Sequence, residues 1–296
     1  MNFSANLSFY NLSWRDLPGA LPENEEIFAI GDVHGEAELL NAALSSIASI
    51  PRTTSRRHLI FLGDLIDRGR ASFAAVKLAM AGNMQALADN LHILPGNHDL
   101  MLLDAMKDES CLEHWLTNGG KSVLSELGLS QQVNTWAAIT EKIRAALHPG
   151  YLEQIAHGPS HLHLGDLLFV HAGIDPHADR ATFLAQSRYQ IRSDMHWATM
   201  RYPFLNWIGG WNGDDQDPER RRQKPTVVVH GHTPSLREQL TEVEKLAICD
   251  GIDGYRAVDL DIGAGYRQQL AWAHFITTKG KSQMQIHAVV KLGPSS

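Results

Sequence analysis

Residues 91–99 read LHILPGNHD: four apolar-rich residues run into Pro95 and Gly96, and an amide, an imidazole and a carboxylate then stand side by side. A short run of branched residues closed by turn formers reads as a buried strand. Its carboxyl end opens on a loop, where polar groups are placed for chemistry more readily than for packing. Four other runs end the same way. IFAI precedes Gly31, Asp32 and His34; LIFL precedes Gly63 and Asp64; LLFV precedes His171; TVVV precedes His230, Gly231 and His232.

Between the runs lie segments of helical spacing. In 36–49, Leu39, Leu40, Ala43, Leu44 and Ile47 recur at three- and four-residue steps on one face, and 72–80 and 100–106 are similar. Strand followed by helix, repeated, predicts an α/β fold whose ligands gather outside the carboxyl ends of the strands. The stretch at about 109–157 is more helical, while 186–217 is rich in Trp, Arg and Asn without clean periodicity; both are insertions able to wall a pocket. From about residue 247 onward the sequence reads as a run of strands separated by Gly turns.

The composition bounds the possibilities. With 296 residues, 44% of them apolar, the chain can bury a substantial core, and we expect an extension at 1–24 followed by a single domain over 25–296. A net charge of −7, with basic residues scattered apart from Arg220, Arg221 and Arg222, gives no footprint for a nucleic-acid scaffold. Cys111 and Cys249 stand far apart in no zinc-binding frame. The first residues lack a basic start and an apolar run, and no stretch approaches a membrane span, so the expectation is a soluble cytoplasmic protein.

In GDVHG, Asp32 and His34 are two apart, and an extended backbone aims both to one side as a mixed oxygen and nitrogen half-site for a divalent metal. GDLIDRG adds Asp64, Asp67 and Arg68; GNHD adds Asn97, His98 and Asp99; His171 and His232 complete the set. Each fragment alone has a reading as a turn, because Asp, Asn and Gly favour turns for backbone reasons. All five at strand ends make a constellation.

The blocks GDxHG (31–35), GDxxDRG (63–69), GNHD (96–99), HAG (171–173) and GHTP (231–234) resemble the signature of the calcineurin-like metallophosphoesterases, in their phosphoprotein-phosphatase-type branch, and DIGAGY (261–266) looks like the family's last core strand. The resemblance implies a central two-sheet β-sandwich flanked by helices and two divalent cations, manganese first, with iron or zinc suited to the same donors. It assigns Asp32 and His34 to one metal, Asp64 as the bridge, and Asn97, His171 and His232 to the other. It also implies in-line attack by a metal-bridging hydroxide, with His98 as general acid oriented by Asp67, and phosphate binding by Arg68 and a second arginine, for which Arg201 is chosen over Arg192. His230 is set aside as a ligand in favour of His232. His161 and His163 read as strand or surface residues, Trp207 and Trp211 as core or rim packing, and the arginines at 220–222 as a solvated turn.

The implied enzyme acts on a phosphorylated substrate. A Ser/Thr phosphoprotein phosphatase, to which Asp67 leans, stands first; a diadenosine tetraphosphatase-like hydrolase, to which Asp99 leans, is the alternative. A non-catalytic phosphate-binding module is a distant third, because every assigned position is chemically competent.

Overall fold

The structure, a computed structural model, describes residues 6–191, 193–211, 226–254 and 256–292. Strands β1 (Leu7–Asn11), β2 (Arg15–Asp16), β3 (Glu25–Ile30), β4 (Arg56–Phe61) and β5 (Asn90–Ile93) belong to one sheet; β6 (His161–Leu164), β7 (Leu167–Val170), β8 (Val227–His230) and β9 (Ala257–Asp259) form a second. Strands β10 (Gln269–Thr278) and β11 (Lys281–Lys291) return to the first sheet, whose order is β1-β11-β10-β3-β4-β5 with β2 paired to β11. The strands β3, β4 and β5 are parallel, as are β7, β8 and β9. Part of the stretch ahead of residue 25, read above as an extension, thus adds two strands to the first sheet.

Alternation along β3 shows how the layers are built. Ile27 and Ala29 point between the sheets, where Ile60, Phe169, Val229 and Val258 join them; Phe28 and Ile30 point to the other face, with Leu59 and Phe61. Helix α1 (Ala37–Ser49) covers that outer face with Leu39, Leu40, Ala43, Leu44 and Ile47. Each such leucine or isoleucine side chain contributes roughly 1.5–3 kcal/mol on burial. Two sheets face to face with helices outside give the mixed α/β sandwich.

Helices α2 (Ser72–Met80) and α3 (Gly82–Gln85) follow β4, and α4 (Asn97–Ala105) follows β5. The residues 109–157 carry α5 (Leu112–Trp115), α6 (Lys121–Glu126), α7 (Trp136–Ala146) and α8 (Tyr151–His157). Helix α4 begins three residues ahead of the expected 100–106, so Asn97, His98 and Asp99 form its first turn and are not a loop. Gly96 at the cap offers no side chain to announce that start. A second departure lies at Val243–Cys249, a 3₁₀ helix whose last residues, from about 247, were expected to open the run of strands: Leu246 and Cys249, three apart, are buried, and Ile248 is exposed. Among the described residues no helix is long and apolar enough to cross a membrane.

Candidate active site

The parallel strands end at one edge of the sandwich, and their following loops meet there. Three of those loops bring non-glycine residues into the left-handed region, His34, Asp64, Asp67, Arg68 and His232 at φ between 45° and 72°. Such backbone is costly and persists where the surroundings enforce it. The enforcement is visible at Asp64. Asp99 accepts the Asp64 N–H at 2.7 Å and the Gly96 N–H at 2.8 Å on one oxygen, and the Leu65 N–H at 3.2 Å on the other. The His98 N–H, in the first turn of α4, donates in turn to Asp64 Oδ1 at 2.8 Å. A Cβ on Gly96 would come within 2.1 Å of Asp64 Oδ1, so only glycine lets the helix end press on this loop.

The other carboxylate oxygen of Asp64 stands between two imidazoles. Its Oδ2 lies 3.6 Å from His34 Nε2 and 3.5 Å from His171 Nε2. The Nδ1 atoms of those rings face the Ile66 carbonyl at 3.0 Å and the Leu62 carbonyl at 2.8 Å, which turns both Nε2 atoms inward. On the His34 side, Asp32 Oδ2 is 3.9 Å from His34 Nε2. On the His171 side, Asn97 Oδ1 lies 3.1 Å from His171 Nε2 and 2.8 Å from His232 Nδ1. Ligand atoms of Asp64, His171 and His232, and likewise of Asp64, His34 and His98, lie within 4.8 Å of one another.

The electrostatics show what these groups lack. Burial, reinforced by Asp261 and Asp64, pushes Asp32 well above the usual carboxylate range. Burial opposes charge on Asp64 too, but His171 and His98 outweigh it and hold Asp64 low; burial would lower His171, yet Asp64 and Asp32 raise it to about 10. His232 Nε2 is buried with no partner. Oxygen and imidazole donors without sulfur, short of positive charge, suit divalent manganese, iron or zinc.

His98 is set apart by its own pairing. Its Nδ1 lies 2.7 Å from Asp67 Oδ2, which leaves Nε2 for the cavity that His98 helps to line. Burial lowers His98 to about 4 and raises Asp67 well above its ordinary value, so burial alone favours the neutral pair. Arg68 donates from Nη1 to His34 Nε2 at 2.6 Å, with its guanidinium 4.7 Å from the Tyr266 ring centroid. Arg68 and Arg201 both line the cavity, of about 590 Å³, whose walls include Leu100, Met101 and Asp104 of α4 with Asn118, Ile191 and Thr199. Arg192 and the arginines at 220–222 lie outside the described residues.

The remaining candidates pack elsewhere. His230 turns Nδ1 to the Gly231 carbonyl at 3.1 Å and its ring to Phe204. Trp207 donates to the Gly210 carbonyl and Trp211 to that of Arg256, and neither lines the cavity. His161 and His163 sit edge to face on β6. Sequence reading missed three buried side chains: Asp99 as a loop clamp, Tyr151, whose hydroxyl donates to Asp99 at 2.5 Å, and Trp115, whose indole donates to Asp67 at 3.0 Å.

Residues 26–256 match the family model of the calcineurin-like phosphoesterases. The asymmetrical bis(5'-nucleosyl)-tetraphosphatase PrpE of Oceanobacillus iheyensis is 24% identical over 73% of this chain and 80% of its own. The symmetrical bis(5'-nucleosyl)-tetraphosphatase of Janthinobacterium is 27% identical over 54% of this chain and 48% of its own. Serine/threonine-protein phosphatase 2 of Escherichia coli is 32% identical over 32% of this chain and 38% of its own. A family model covering 26–256, over a two-sheet fold with Asp, His and Asn donors gathered at the strand ends, places the chain in the calcineurin-like phosphoesterases, metal-dependent hydrolases of phosphoric esters.

Proposed function

We propose that this phosphoesterase holds one divalent cation on Asp32, His34 and Asp64 and a second on Asp64, Asn97, His171 and His232, with manganese the first choice. The observation that carries the assignment is Asp64 Oδ2 standing 3.6 and 3.5 Å from the inward nitrogens of His34 and His171, as a shared ligand must. When bound, such a pair supplies an acidified water for attack at phosphorus and offsets charge on the phosphoryl oxygens.

The protein's own groups do the rest. Arg68 and Arg201 bind the phosphoryl oxygens, Arg68 through its planar fork. His98 gives its Nε2 proton to the departing oxygen, while Asp67 holds Nδ1 and so aims the ring. Burial takes proton affinity from His98; a phosphoryl anion arriving opposite Nε2 restores it.

For the substrate, the residues weighed from sequence do not decide. Asp67 and Asp99 are buried outside the cavity lining, so neither touches what the enzyme cleaves. The cavity itself, about 590 Å³ with apolar Leu100, Met101 and Ile191 beside polar Asp104 and Asn118, suits a nucleoside group. Together with the long alignment to the PrpE tetraphosphatase, this favours a dinucleoside polyphosphate. A phosphoprotein is the second reading, favoured by the similarity to the E. coli phosphatase. With Mn²⁺ present, kcat/KM on diadenosine tetraphosphate should exceed that on a phosphoserine peptide. The reverse order would return the phosphoprotein to first place, and turnover by metal-free enzyme would overturn the metal reading.

A further inference from the structure

One side chain of the helical stretch at 109–157 passes beneath the cavity wall and reaches the acid. Trp115, at the end of α5 and fully buried, directs its indole N–H at both carboxylate oxygens of Asp67, 3.0 Å from each. Asp67, itself 0% exposed, reaches His98 Nδ1 at 2.7 Å. No solvent is at hand to orient that carboxylate. A donor shared between the two oxygens fixes the plane of the carboxylate, and the plane fixes the direction of the His98 ring.

The local backbone is shaped to seat the indole. Residues Leu116–Gly120 form a kinked turn between α5 and α6, with Gly119 at φ 130°. A Cβ on Gly120 would meet the Trp115 ring at 2.4 Å, so the turn makes room for the ring. The Gly119 carbonyl accepts the Arg68 N–H at 3.3 Å, which ties the same turn to the loop carrying Asp67 and Arg68. An indole N–H needing only an acceptor would be satisfied by any backbone carbonyl; this one lies on the carboxylate that aims a cavity histidine.

We propose that Trp115 is a positioning residue for proton delivery: the acid arm is a chain of three, Trp115 to Asp67 to His98. The inference rests on the reading of His98 as general acid. A misaimed acid harms poor leaving groups most, because a good one departs without a proton.

The test is Trp115→Phe, which keeps an aromatic ring and removes the N–H, assayed on phenyl phosphate and p-nitrophenyl phosphate with metal content measured alongside. The expected result is a fall in kcat of about 10- to 100-fold on phenyl phosphate, a much smaller fall on p-nitrophenyl phosphate, and unchanged metal. In a His98→Asn background the same substitution should cost nothing further. Equal losses on the two esters, lost metal, or an additive loss in the double variant would overturn the proposal. Should Trp115→Phe fail to fold, Gly120→Ala, whose methyl would press the indole off Asp67, must give the same signature. His98→Asn alone separates the two readings. If it shows no leaving-group dependence, the acid assignment fails; if it does and Trp115→Phe does not, only the role of Trp115 fails.

Discussion

The strands β3 and β4 carry a buried polar cluster at each end, and the two are built on opposite terms. At the amino end, Glu26 and Arg57 are 0% and 1% exposed, and the structure answers their charges with partners. Glu26 accepts from Arg57 Nε, Thr54 Oγ1 and His274 Nε2, each at 3.0 Å. Arg57 also donates to the Ile47 and Ala86 carbonyls at 3.3 Å and to Ile50 at 3.0 Å, tying the ends of α1 and α3 to the sheet. Burial would raise Glu26, but His274 and Arg57 outweigh it and hold its carboxyl low. At the carboxyl end, burial raises Asp32, Asp67 and Asp259 well above the usual range, and lifts Asp99 to about 7 and Asp261 to about 6. One cluster brings its own countercharge. The other leaves a deficit that cations from outside would fill, which is the physical difference between a staple and a site.

The largest expected effect attacks that deficit where it is shared. Asp64→Asn should lose both metals and fall to background turnover, whereas Asp32→Asn should lose chiefly one, since only a bridging carboxylate serves two cations. Elemental analysis of each purified variant decides it; equal stoichiometry in the two would take the bridge away from Asp64. Next comes His98→Asn, expected to keep both metals and lose about 10²- to 10⁴-fold in kcat on an ester with a poor leaving group.

The contrast also explains what could be read in advance. The residues gathered at the carboxyl edge stand in five short blocks because each block follows its own strand directly, and local order is what a sequence displays. The clamps are another matter. Trp115 meets Asp67 from 48 residues away and Tyr151 meets Asp99 from 52, on helices whose spacing announces only an apolar face. The left-handed backbone of His34, Asp64 and His232 is only faintly marked, since Asp and His enter that region more often than other non-glycine residues but still rarely. At the end of Val243–Cys249 the short apolar run LAIC fitted a strand as well as a helix, and packing of Leu246 and Cys249 chose the helix.

At the balanced end, the prediction is for stability with chemistry spared. Arg57→Met keeps much of the packing over Phe28 but strands Glu26 without its guanidinium and frees three helix-end carbonyls. Breaking a buried pair from one side costs about 3–5 kcal/mol. Urea unfolding should show that loss, while metal content and kcat of the folded enzyme stay near wild type. A large fall in metal binding would mean that the two ends of the strands are coupled.

The smallest effect expected is also the most selective. Tyr151→Phe removes one hydroxyl, which donates to Asp99, and Asp99 is the residue that accepts the backbone N–H groups of Asp64 and Leu65. Tyr151 is fully buried, so no water replaces the lost donor, and the cost in folding stability should be about 0.5–1.5 kcal/mol. The same energy should surface a second time. With one donor lost from the Asp99 oxygen that also accepts the Leu65 N–H, the carboxylate is fixed less firmly, the Asp64 loop is held less tightly in its left-handed turn, and a ligand that must be held in a costly backbone binds its cation less tightly. Metal affinity should therefore weaken by up to about tenfold, the equivalent of that hydrogen bond. At saturating Mn²⁺ the kcat should recover, with no leaving-group dependence, because the acid arm through Trp115 and Asp67 is untouched. Titration of activity with Mn²⁺ on phenyl and p-nitrophenyl phosphate reads both quantities. A wild-type metal affinity would reduce Tyr151 to core packing, and a deficit confined to phenyl phosphate would place it on the acid arm instead of the metal loop.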